Sequence, residues 1–456
     1  MVSNRSESSL LDYYDVSSGL SKSAKFFGQG YPFVSFKDVF KNTFLPEQLE
    51  QLVQSEDKER LKCSVKKGDV FITRTSETMH ELGMSSVALK DYPEATFNGF
   101  TKRLRPKSGT EKVLHPEYVG YYLRSPIFRQ KMLAFSTMST RASLNNEMIG
   151  RLTISYPELT EQKRISGVLK RLDERIELNQ QTNVTLEQMA QALFKSWFVD
   201  FDPVIDNALA AGNNIPEALQ YKAEQRKQVQ QLPDFKPLPD NIRALFPSEF
   251  EQTDESTVGF DGWIPKGWKA SNIGSSFDVT MGQSPPGSTY NEIGEGIAFY
   301  QGRADFGFRY PKNRVYCTAP KRLANKFDTL VSVRAPVGDA NMAKENCAIG
   351  RGVAAVRHQS GAISFTYYTI QNLNHFFERY EGEGTVFGSI NQKDFKNLPY
   401  VAPDDRVISK FEAVSSSMDE MIDLNSKNLM ALEKLRETLL PKLISGEIKL
   451  PSKDVA

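Results

Sequence analysis

A chain that repeats itself must build the same thing twice, and this one does. Displaced by 246 positions, SLNNEMIGRLTISYP (143–157) aligns without gaps on SINQKDFKNLPYVAP (389–403), so that Ser143, Asn145, Leu152 and Pro157 fall on Ser389, Asn391, Leu398 and Pro403. The same displacement lays DERIELN (173–179) on DEMIDLN (419–425), and Leu186, Glu187 and Leu193 on Leu432, Glu433 and Leu439. One shift shared over about fifty positions marks a tandem duplication. Upstream the match fades to short echoes. GDVFITRTS at 68 sets against DTLVSVRAP at 328, each a strand-like run ending near an arginine, Arg74 or Arg334.

The repeated tails read as long helices. Ile165, Leu169, Leu172, Ile176, Asn179, Asn183, Leu186, Ala190, Leu193 and Trp197 alternate steps of four and three, the spacing of a coiled-coil seam. The second copy runs Phe411, Ser415, Met418, Ile422, Asn425, Leu429, Leu432, Arg436, Leu439, Leu443. Each helix could instead line its own domain. If they pair antiparallel about a pseudo-twofold axis, both seams are buried together, and the equivalent Asn179 and Asn425 meet near mid-helix, where a buried polar pair fixes register. A helix from 165 to 197 is roughly 50 Å long at about 1.5 Å per residue. The expected layout is α+β: mixed α/β front units at 1–157 and 263–403, long helices at 158–200 and 404–448, a crossover connection at 201–262 with one short helix near 215–231, and a tail at 449–456. Strand-like runs at 69–73, 152–156, 329–333 and 352–356 alternate with helical candidates at 116–136 and 364–379.

At 456 residues the chain calls for two or more domains, and 39% hydrophobic with 25% charged residues suits soluble globular cores. Cys63, Cys317 and Cys347 lack CxxC spacing, so neither a disulfide framework nor a zinc knuckle is expected. The start MVSNRSESSLLDYYD carries acidic and polar residues where a signal peptide needs a basic flank and an apolar stretch, and no run reaches the roughly 20 apolar residues of a membrane span, so neither export nor membrane insertion is expected. A cytoplasmic protein without a membrane partner is the expectation. The 57 basic and 56 acidic residues nearly cancel, so only local patches can argue for nucleic acid.

Chemistry-bearing motifs fail on context. FFGQG (26–30) has the outline of a methyl-donor loop but is preceded by SKSAK and followed by a strand-like run, the reverse of what such a loop needs. GQSPPGST (282–289) has phosphate-loop glycine spacing without the lysine. PDFK (233–236) has no partner carboxylates in a strand setting, and His80, His115, His358 and His375 form no metal-ligand spacing. No catalytic residue and no metal site is assigned. The basic runs remain. Lys102, Arg103, Arg105 and Lys107 in TKRLRPK, and Arg303, Arg309, Lys312 and Arg314 interleaved with aromatic residues, suit a phosphate backbone, although such runs are commonly solvated surface. STRASLNN (139–146) and VFGSINQK (386–393) add Arg141, Asn145, Asn391 and Lys393, residue types that read base edges or equally cap a helix. With Arg74 and Arg334 these complete the candidate DNA-binding set. The candidate helix-pairing set is Ile165, Leu169, Leu172, Ile176, Asn179, Leu186 and Leu193 with Met418, Ile422, Asn425, Leu432 and Leu439.

LFKSWFVDFDPV (193–204), IPKGW (264–268), GQSPPGSTYN (282–291) and LRETLLPKLISGEI (435–448), in this order around the duplication, resemble the specificity subunit of type I DNA restriction-modification systems. The resemblance spans most of the chain and weakens over residues 1–140. It implies two target-recognition domains, each reading half of a split double-stranded DNA sequence, joined by paired helices that dock two modification (methyltransferase) subunits, with restriction-translocase subunits joining that core. It also implies that S-adenosylmethionine, ATP and magnesium are used by those partners, with no cofactor on this chain. A rod of roughly 50 Å separates two readers by no more than about 15 base pairs. Two other readings remain open at this point: a fused methyltransferase or nuclease carrying the same module, which needs a donor loop between strand and helix, and a coiled-coil assembly protein that binds no DNA.

Overall fold

The computed structural model describes residues 5–75, 81–134, 144–380 and 388–451. Asn145 and Asn391, equivalent in the repeat, do the same local work. Each carries extended backbone, and its side chain accepts from the backbone N–H of Met148 or Asp394, capping the short helices Asn146–Arg151 and Gln392–Lys396. The strands that follow, Thr153–Tyr156 and Pro399–Ala402, pair antiparallel with Ser6–Ser9 and Lys269–Asn272. Ser9 and Asn272 in turn cap the next short helices, Leu10–Tyr13 and Ile273–Ser276.

The chain divides into two units, Met1–Gln180 with Ser426–Ala456 and Gln181–Asn425. In the first, a four-stranded sheet runs Tyr14–Ser18, Thr101–Pro106, Val70–Thr73, Ser85–Val87, beside a three-stranded sheet of Leu52–Val53, Phe27–Val34 and Thr96–Phe97. In the second, the four-stranded sheet runs Phe277–Met281, Val353–His358, Thr329–Ser332, Ala340–Met342. Its neighbour has five strands, including a parallel pair, Ile297–Tyr300 with Cys347–Ile349, that matches Phe27–Val34 with Thr96–Phe97. The order of the four strands is the same in both units although their sequences have diverged.

This topology corrects one alignment. Asp15 faces Arg105 and Asp278 faces Arg357 in matching strand pairs, while Val70 faces Leu104 and Thr329 faces Val356. Asp69 therefore corresponds to Asp328 and Arg74 to Val333; Arg334 corresponds to Thr75. The echo of GDVFITRTS with DTLVSVRAP is off by one residue, enough to exchange the two faces of a strand.

The long helices span Leu159–Phe194 and Asp405–Ser445. In the first unit Ile165 and Leu169 share a core with Leu443, Ile444 and the tyrosines 118, 121 and 122. In the second, Phe194, Trp197 and Phe198 pack with Phe365 and Phe411. Of the expected pairing positions, Ile165, Leu169, Ile176, Asn179, Ile422 and Asn425 are buried, and Leu172, Leu186, Leu193, Met418, Leu432 and Leu439 are half-buried. The hydrogen-bonded polar pair is Asn425 Nδ2 to Asn183 Oδ1 at 3.0 Å, one helical turn from the expected Asn179.

Residues 201–262 form more structure than a connection with one helix. Asp202–Ala211 precedes the anticipated helix, which comprises Glu217–Leu219 and Gln220–Gln230, and Asp240–Arg243 follows. Ile205, Ala208, Ile215, Leu219 and Ala223 make a small core of their own. Phe250–Gln252 then pairs with Trp263–Pro265.

Candidate nucleic-acid interface

The basic run of the first unit lies mostly on the strand Thr101–Pro106, and the strand takes most of it inward. Lys102 is buried with Nζ 2.9 Å from Ser18 Oγ, and burial pulls its pKa below the ordinary lysine value. Arg103 is buried over the Phe97 ring and donates to Ser64 O at 2.5 Å. Arg105 grips the fully buried Asp69 through two bonds, 2.8 and 2.6 Å. In the second unit Arg357 pairs with Asp328 at the corresponding place, Nε to Oδ1 at 2.5 Å. Both aspartates also accept a backbone N–H three residues upstream, from Lys66 and Asn325. An ion pair kept in both units at one strand position fixes the frame. Lys107, beyond the strand, is exposed.

Arg309 moves furthest from expectation, from a surface patch into a core. It is 2% exposed, with Nη2 3.1 Å from Glu187 Oε2, a further contact to Asp419 and its guanidinium 4.2 Å from the Tyr367 ring. Burial alone would lower its pKa; Tyr367, Asp419, Tyr368 and Glu187 outweigh that and raise it. Burial pushes Glu187 up, opposed by Arg309. Asp173, the counterpart of Asp419, does similar work in the first unit, accepting from Tyr121 Oη at 2.7 Å and Arg436 Nη1 at 2.9 Å. Arg303 pairs with Asp339, and Arg314 with Asp305 at 2.7 Å. Lys312, Arg334 and Lys393 are exposed, and Arg74 is half-buried. Asn145 and Asn391 are exposed but spend their side-chain oxygens on helix caps. Arg141 lies outside the described residues, as do residues 139–143 and 386–387 of the polar segments that were read with it.

FFGQG belongs to the start of the strand Phe27–Val34 and not to a strand-to-helix turn. Among the described residues no group of three or more His, Cys, Asp or Glu side chains could hold a metal ion, and no described helix is long and apolar enough to cross a membrane.

Residues 17–188 match the family model described as the type I restriction modification DNA specificity domain. The chain is 26% identical over 469 residues to the type I restriction enzyme HindI specificity subunit of Haemophilus influenzae, covering 95% of this chain and 98% of that protein. It is 24% identical over 468 residues to the MjaIX specificity subunit of Methanocaldococcus jannaschii, covering 96% and 92%. Over more than nine-tenths of its length the chain is similar to type I restriction-modification specificity subunits. A solved type I restriction-modification S subunit from M. genitalium has the same fold, with a TM-score of 0.54 at 14% identity over 97% of this chain and 96% of the other. The matched domain stops at residue 188, yet the strand order of residues 277–358 repeats that of residues 14–106, so the second unit repeats the fold of the first in a different sequence.

Beyond the basic runs, sequence reasoning passed over Gln283, Gln301 and Arg351, all exposed near strand ends. They sit singly, and no run of charge marks them. The signal that finds them is the Gly-x-Ser shared by Gly19–Ser21 and Gly282–Ser284.

Proposed function

We propose that the chain reads a two-part DNA target, one part with each unit, and carries modification subunits on its long helices without catalysing a reaction itself. The observation that carries this reading is one strand order, fixed by the same internal ion pair, supporting two different surfaces. Shared frame and divergent surface are what two readers of different half-sites require. Lys107, Lys312, Lys393 and the half-buried Arg74 are the phosphate contacts of this proposal. Lys102, Arg103, Arg105 and Arg309 are left out, because their charges are engaged inside the fold.

In this reading the helices form an antiparallel coiled coil about a pseudo-twofold axis. Supporting it, contacts in the second unit pair rising numbers with falling ones, Asn183 with Asn425 and Phe194 with Phe411, as Asp173 with Arg436 does in the first. Exposed apolar residues recur at equivalent helix positions: Leu178 and Leu424, Val184 and Met430, Met189 and Leu435. Such a duplicated apolar face suits two copies of one partner. The methyl donor, ATP and magnesium would be used by those partners and by the restriction-translocase subunits.

The test is to express the chain with its modification subunits and map methylated bases by sequencing. A split motif with a fixed gap is expected; a contiguous motif, or methylation without sequence preference, contradicts the reading.

A further inference from the structure

In each unit four chain segments cross where the two sheets end. In the second unit Gln283 N donates to Ile349 O at 3.0 Å, Gly350 N to Tyr300 O at 2.8 Å and Val333 N to Gly352 O at 3.0 Å. In the first unit the same bonds run from Leu20 N to Phe97 O at 2.8 Å, Asn98 N to Val34 O at 3.0 Å and Arg74 N to Phe100 O at 2.9 Å. Gly19 and Gly282 hold corresponding places, and a Cβ on either would run into the backbone of the opposing segment. The crossing is therefore one backbone construction made twice.

Its side chains are not the same. Leu20 stands where the second unit has Gln283, Ser35 where it has Gln301, Gly99 where it has Arg351, and Thr75 where it has Arg334. All four residues of the second unit are exposed. Arg351 lies with Nε 3.4 Å from Ser284 Oγ and, among the described residues, forms no ion pair, whereas Arg303, Arg314 and Arg357 each hold a carboxylate. Arginine and glutamine are the side chains that make two-pronged bonds to guanine and adenine edges. Reading also needs a backbone held firmly enough to aim them, and here the backbone is locked by bonds that the first unit repeats.

We propose that Gln283, Gln301, Arg334 and Arg351 are the base-reading residues of the second unit, with a guanine opposite Arg351. This rests on the two-part reading above and assigns it to particular side chains. The test uses the full chain with its modification subunits, comparing methylation rates on duplexes carrying every single-base change of the wild-type motif. Arg351→Ala and Gln301→Ala each lose discrimination at one or two base pairs of a single half-site by about 5- to 150-fold, with the other half and the gap unchanged. Arg351→Lys keeps the charge without the fork and loses discrimination at the same position. Lys312→Ala, which removes a phosphate contact of the parent reading, slows methylation of every duplex alike and leaves the motif as it was. A wild-type split motif that survives intact in Arg351→Ala and Gln301→Ala, or in Arg351→Lys, overturns this assignment alone. A wild-type complex with no base preference overturns the parent reading as well.

Discussion

Arg309 and Lys312 are three residues apart in one basic run, and the fold gives them opposite fates. Arg309 is enclosed by Glu187, Asp419 and two tyrosine rings, while Lys312 stands in solvent. Removing one member of a buried charge cluster strands the others, so Arg309→Ala is expected to cost about 3–5 kcal/mol of stability, and Lys312→Ala to stay within about 0.5 kcal/mol. Trp197, Trp263 and Trp268 all belong to the second unit, which makes tryptophan fluorescence during urea unfolding its reporter. Equal midpoints for the two variants would refute the buried cluster. His358 adds a pH dependence. Burial against Phe277 and Phe365 lowers its pKa below the ordinary value, with Asp405 opposing weakly, so the unfolded chain binds the proton more readily than the folded one. Its contribution is present above about pH 6.5 and is lost as pH falls from there toward the folded-state pKa. His358→Asn, which keeps an acceptor near Nδ1 for the Ser360 N–H, should flatten that part of the pH–stability curve; an unchanged slope would remove His358 as its source. None of this burial was readable from the run itself, because the partner Asp419 is 110 residues away.

The helices were the most legible elements and the strands the least, for a physical reason. A long helix must repeat its apolar spacing over many turns to stay packed, so the seam persists in sequence from Ile165 to Trp197. A short strand in a frame that is built twice needs little more than backbone hydrogen bonds and a few fixed residues, such as Asp69 with Arg105 and Asp328 with Arg357. The surrounding side chains are then free to diverge. That is why GDVFITRTS and DTLVSVRAP matched only approximately, and slipped by one. The first helix of the connection, Asp202–Ala211, was hidden because its proline at the second helical position reads as a breaker, though proline is tolerated in the first turn. At this scale the exposed Met189 and Leu435, equivalent in the repeat, make a prediction about partners. Met189→Glu and Leu435→Glu should each weaken retention of one modification subunit in the native mass of the complex, and together both. A complex of unchanged mass in the double variant would place docking elsewhere.

At the scale of the molecule, two mixed α/β units with two long helices were legible, as was the duplication, while the detail of the proposed reading surface was not, since residues facing DNA in that reading would obey the target and not the fold. The structure separates the two by showing what both units keep. Phe277 and His358 are Cα partners at the edge of the second unit's four-stranded sheet, so the segment between them begins and ends on one rung of the frame. Replacing residues 277–358 with the corresponding segment of a specificity subunit of different target exchanges the surface and leaves the long helices untouched. Methylated-base mapping of that hybrid with its modification subunits is the most direct test of the two-reader claim. The account predicts that one half of the motif changes while the other half and the gap stay as they are; a hybrid in which both halves change together, or neither does, would contradict it.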